Sequence, residues 1–122
     1  MFITNYQISM YRGDSETIKI NLTNKADGSA RPLESDESIY MTVRRTTESD
    51  EVVLSKIITK QDSPGVVLIN LKPEDTANLP LGDYVYDIRI KRGTTWVKTI
   101  IGAEDPLRRW RAKFKLLSEV TK

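Results

Sequence analysis

Residues 71–90 read LKPEDTANLPLGDYVYDIRI, and this stretch decides the fold. It opens with Lys72-Pro73-Glu74-Asp75, a helix start in which proline takes a first-turn position where its missing N–H is no loss. Leu79-Pro80-Leu81-Gly82 then turns the chain. Beyond the turn, Tyr84, Tyr86, Ile88 and Ile90 fall on one parity, and Asp83, Asp87, Arg89 and Lys91 on the other. Successive side chains of a strand point to opposite sides of the pleat, so strict alternation marks a half-buried β-strand.

Working outward, the rest of the chain repeats this pattern at short spacing. A strand over 7–11 ends at Arg12-Gly13-Asp14, and one over 17–22 puts Ile18, Ile20 and Leu22 on one face. Residues 24–32, NKADGSARP, reverse the chain through Asp27-Gly28. Over 38–45, Ile39, Met41 and Val43 point inward and Tyr40, Thr42 and Arg44 outward, before a polar loop at 46–51. The strand over 52–59 has apolar residues on both parities, so its register is open. Ser63-Pro64-Gly65 leads into 66–71, and Arg92-Gly93 joins the strand over 84–91 to one over 95–102. The whole reads as a single all-β domain over 1–122, a sandwich of about seven to eight antiparallel strands with one short helical turn. Its expected core is Ile18, Ile20, Ile39, Met41, Val43, Ile69, Tyr84, Tyr86, Ile88 and Trp110.

The last segment admits two readings. As a strand, Trp110, Ala112, Phe114 and Leu116 face in, while Arg109, Arg111, Lys113 and Lys115 face out. As a helix, Leu107, Trp110, Phe114 and Leu117 share a face, with Asp105 as N-cap and Pro106 at the first helical position.

Composition narrows the chemistry. There is no cysteine and no histidine among the 122 residues, which removes thiol nucleophiles, disulfides, the commonest general base and the commonest transition-metal ligands. The start, MFITNYQISM, lacks the basic and apolar regions of a signal peptide, and no run approaches the roughly 18 apolar residues of a membrane span. The expectation is a soluble chain from a reducing compartment, not an enzyme and without cofactor or metal. Charge is unevenly spread. Residues 91–122 hold nine Lys/Arg against three acids, a net +6, so the chain's +2 leaves −4 on the first ninety residues. Such polarity suits head-to-tail association or an acidic partner.

A strand reached through a compact turn and carrying an inward tyrosine resembles the corner of an immunoglobulin-like sandwich. Three segments extend that likeness: ITNYQISMYRGDSETIKINL near the start, the 71–90 stretch, and FKLLSEVT at the end. In this order they resemble the amino-terminal immunoglobulin-like domain of phage baseplate upper proteins, which also occurs as small stand-alone phage proteins. The run at 73–87 carries most of the resemblance. It implies an immunoglobulin-like fold, a closing strand over 114–121, and a non-catalytic virion role in tail or baseplate. It also implies synthesis in the host cytoplasm, with other phage structural proteins or further copies of the chain as partners. The chain departs from the family pattern at 102–109, a longer connection between the last two strands.

Short motifs add little chemistry. Arg12-Gly13-Asp14 matches an adhesive tripeptide but sits where a hairpin needs a glycine, and Asn21-Leu22-Thr23 matches a glycosylation acceptor without a signal peptide. Glu34-Ser35-Asp36-Glu37 and Glu48-Ser49-Asp50-Glu51 would offer calcium clustered oxygens only if the two loops met. No carboxylate pair, phosphate-binding loop or activated serine marks a catalytic site.

The basic aromatic run RRWRAKFK at 108–115 is the densest charge cluster. Strand alternation separates its rings from its cations, which argues against nucleic acid, since stacking and phosphate contacts need one groove. It fits an assembly contact made by Arg108, Arg109, Arg111, Lys113 and Lys115, with the strand at 7–11 as the alternative contact. The competing functional class is a carbohydrate- or receptor-binding module that uses outward rings such as Tyr40 or Trp96.

Overall fold

The alternating stretch forms the longest strand among the described residues, Gly82–Arg92, and its inward residues Tyr84, Tyr86, Ile88 and Ile90 are all buried. A computed structural model of the chain describes residues 2–4, 7–24, 26–49, 51–101 and 112–118. In order these form β1 (Phe2–Thr4), β2 (Gln7–Tyr11), β3 (Glu16–Asn21), β4 (Glu37–Arg44), β5 (Val52–Ile58) and β6 (Val66–Leu71). There follow the helical turn α1 (Pro73–Thr76), β7 (Gly82–Arg92), β8 (Thr95–Ile101) and β9 (Lys113–Leu117).

The strands build two packed, open sheets. The larger runs β1-β2-β9-β7-β4-β5 with β8 also on β7, and the smaller is the antiparallel pair β3-β6. One edge of β7 takes β4 along Val85 to Arg92; the other takes β9 along Gly82 to Val85 and then β8 from Ile88 onward. The closing strand is thus two collinear pieces on a single edge. All pairings are antiparallel except β2 with β9, which is parallel and departs from the expected all-antiparallel arrangement. Counting β1 and the split closing strand gives nine strands among the described residues, above the seven to eight expected. The expected strand at 7–11 lies between β1 and β9, paired to β1 over Gln7–Ser9 and to β9 over Ile8–Tyr11.

The core is where the alternation placed it. Ile18, Ile20, Ile39, Met41, Val43, Ile69, Tyr84, Tyr86 and Ile88 are buried, joined by Ile8, Met10, Phe114 and Leu116. Trp110 lies outside the described residues. Over Lys113–Leu117 the final segment is a strand, with Phe114 and Leu116 inward as its strand reading requires. The open register of β5 resolves with Leu54, Lys56 and Ile58 on the inner parity and Ile57 left 53% exposed. Lys56 is tolerated there because its ammonium reaches the rim, 2.6 Å from Asp75 on α1. Asp75 also accepts the Lys72 N–H at 2.7 Å, so one carboxylate caps the helical turn and anchors it to β5.

Two local devices fix the corners. The Tyr84 hydroxyl donates to the Pro80 carbonyl at 2.6 Å, tying β7 to the turn before it. Gly65 has φ +78°, and a Cβ there would stand 3.0 Å from the Leu22 carbonyl oxygen and 3.2 Å from Ala30 Cβ. Only glycine fits a left-handed position so tightly enclosed.

Candidate functional site

The outward face of the large sheet gathers the polar and aromatic side chains that alternation excludes from the core. Register sets them in rows: Arg44 beside Val85, Thr42 beside Asp87, Tyr40 beside Arg89, and Ser38 beside Lys91, with Trp96 across from Lys91 on β8. Both rings named as possible binding residues are here. Trp96 is 42% exposed, and its ring meets Tyr40 edge to face at 5.3 Å between centroids. The Arg89 guanidinium sits 4.1 Å from the Trp96 centroid, and the Lys91 ammonium lies 4.9 Å from Trp96 and 5.6 Å from Tyr40. Each contact of this kind contributes about 0.5–1 kcal/mol at an exposed site. They hold Trp96 in a set position on the sheet.

Next to this cluster is a cleft of about 250 Å³ lined by Thr42, Arg44, Thr47, Val85, Tyr86 and Asp87. Arg44 is braced by donating to the Ser49 carbonyl at 2.9 Å, which ties the 45–49 loop to the cleft wall. Burial pushes the Asp87 carboxyl above its usual range, against the opposing pull of Arg89 and Arg44. Asp87 accepts no hydrogen bond from another described residue, and the buried Nε–H of Arg89 has no acceptor. These two outward groups on β7 thus have hydrogen-bonding capacity unused among the described residues, and such groups call for an explanation.

Of the five residues assigned to the assembly contact, Lys113 and Lys115 lie on β9, opposite Val85 and Asp83, with Lys115 exposed and Lys113 half-buried. They share the outward face with Arg89 and Lys91. Arg108, Arg109 and Arg111 lie outside the described residues.

The two acidic loops flank opposite ends of the eight-residue β4, roughly 25 Å apart at 3.3–3.4 Å per residue, so they cannot hold one ion. Glu37 is committed elsewhere. Its carboxylate, with no side-chain exposure, takes two 2.8 Å bonds from Arg31, one of 3.2 Å from Arg92 and one of 3.0 Å from the Glu34 N–H. The Arg31 hydrogen bonds above all hold its pKa down to about 2. The adhesive tripeptide is likewise engaged: Gly13 N–H donates to the buried Thr76 hydroxyl at 2.8 Å, and Arg12 donates to the Leu79 carbonyl at 3.4 Å.

Sequence reasoning identified Tyr40 and Trp96 but not the cleft or the Glu37 cluster. Thr42, Arg44 and Asp87 were legible as outward residues; that they form one cleft depends on the β4–β7 register and on the loop carrying Thr47. No known family model, curated protein or solved structure matches the chain.

Proposed function

We propose that this chain is a non-catalytic structural subunit of a bacteriophage particle, in tail or baseplate, acting through protein–protein contacts on an immunoglobulin-like domain. It would be made in the host cytoplasm and work in the virion. Strand pairing supports the domain assignment. In an immunoglobulin-like reading β3 and β6 are strands B and E, while β4, β7 and β9 are C, F and G. The Tyr84–Pro80 hydrogen bond then occupies the place of the tyrosine corner near the start of strand F.

The observation that carries the assembly reading is the divided closing strand. Ile101 lies opposite Ile88 and Lys113 opposite Val85, so only Tyr86 and Asp87 separate the two partners along β7. On the closing strand residues 102–112 separate them, far more chain than the gap requires. A segment of this length between two strand partners, carrying three arginines at 108, 109 and 111, is suited to recognition, because loops accept additions where they contact partners. Arg108, Arg109 and Arg111 in that segment, with Lys113 and Lys115 on β9 directly after it, are the contact residues, and an acidic neighbour in the particle is the partner. Opposite charges steer the encounter and fix orientation.

The test replaces Arg108, Arg109 and Arg111 with Ser during phage growth and measures incorporation into particles. The expected result is a folded subunit that incorporates poorly, while native assembly weakens with salt. Normal incorporation of the triple variant would reject this contact.

A further inference from the structure

We propose that the cleft formed by Thr42, Arg44, Thr47 and Asp87, together with Tyr40 and Trp96 beside it, binds a single neutral sugar residue of a glycan. The chemistry is that of a hydroxyl-rich ligand. A pyranose ring both donates and accepts hydrogen bonds around its rim and presents C–H groups on its faces. The cleft offers a carboxylate acceptor, a braced guanidinium donor and two hydroxyls that serve either role. Asp87 accepts no hydrogen bond from another described residue, so its carboxylate is open to a ligand hydroxyl. Tyr40 is two residues from Thr42 on the same face of β4, about 7 Å away, so the rings stand within reach of a sugar seated over Asp87.

Geometry sets the kind of glycan. The two rings meet at 77°, forming a corner and not a flat platform, so the site takes one residue or a chain end and not a long polysaccharide laid flat. The volume is below that of sites for drug-sized ligands, which agrees with a single ring. Charge sets the rest. Arg44 and Asp87 are the two charged residues of the lining and offset each other, so a phosphate or sulfate would meet the Asp87 carboxylate.

The isotope-labelled full chain is titrated with methyl glycosides of neutral hexoses, 6-deoxyhexoses and N-acetylhexosamines, and separately with heparin fragments, following amide and indole resonances. At least one neutral glycoside is expected to shift Thr42, Thr47, Asp87 and the Trp96 indole with a dissociation constant of about 1 mM, the scale a ligand of a dozen or so heavy atoms reaches. Asp87→Asn should weaken that binding about tenfold through the loss of charged hydrogen bonds, and Thr47→Val, on an exposed loop, should weaken it without touching the sheet. Binding should persist at high salt. The proposal is overturned if no neutral glycoside shifts these residues or if Asp87→Asn binds as well as the native chain. It is also overturned if only heparin binds, in a manner abolished by salt, which would make the face a general polyanion patch.

Discussion

Replacing Glu37 with Ala removes the acceptor on which three groups converge: Arg31 through two bonds, Arg92, and the Glu34 N–H. Breaking a buried ion pair by deleting one partner costs about 3–5 kcal/mol when the other charge is left stranded. Here the side chains of Arg31 and Arg92 are 26% and 48% exposed and can turn to water, so the lower end applies, about 3 kcal/mol. Titration gives a second route to the same figure. A carboxylate held at about 2 in the folded chain, against 4.5 as its ordinary value, contributes about 3 kcal/mol at neutral pH. The sign follows from the depressed folded value. The contribution is complete above pH 4.5 and is lost as pH falls toward 2. Urea denaturation of the native chain and of Glu37→Gln, at a series of pH values between 7 and 2.5, isolates this term by difference. The gap between them should be largest at pH 7 and should close through the window below 4.5. A gap that stays constant with pH, or Glu37→Ala within 0.5 kcal/mol of native, would refute the reasoning.

Ile88→Ala should destabilise the chain by about 2–5 kcal/mol, since Ile88 is fully buried at the centre of β7, and an unchanged urea midpoint would show that the site collapses freely. Gly65→Ala should cost about 1–3 kcal/mol from its left-handed φ and the tight approach to Leu22 and Ala30; a thermal midpoint within a degree of native would contradict the local geometry. The free subunit should run as a monomer or weak associate in light scattering, because its outward faces are charged and interrupted by single exposed apolar residues such as Tyr11 and Ile57. A stable oligomer at nanomolar concentration would count against that.

What the sequence made legible follows from how far each signal reaches. Strand parity is local, so the inward set from Ile18 to Ile88 could be read residue by residue, and the helical turn at Pro73 announced itself through proline and the acids behind it. Register between distant strands is not local. The cleft at Asp87 exists because Thr42 lies opposite it on β4, and no feature within either strand states that pairing. Glu37 shows a further limit. It stands in an acidic run that reads as solvated, yet it is buried because Arg31, six residues back, and Arg92, on a strand far along the chain, both fold onto it. The β5 register stayed open for a related reason: Lys56 occupies an inner position only because Asp75 arrives from α1 to pair with it. The parallel pairing of β2 with β9 joins the two ends of the chain, and alternation carries no strand direction.

The central claim is that this chain is a component of a phage particle. Its most direct test is quantitative mass spectrometry of gradient-purified particles from a phage encoding the chain, with copy number referred to the tail proteins. The account predicts the chain in particles at a fixed ratio to tail or baseplate components, retained through repeated gradients at low salt. Particles that lack it, while the chain accumulates free in the infected cell, would contradict the account.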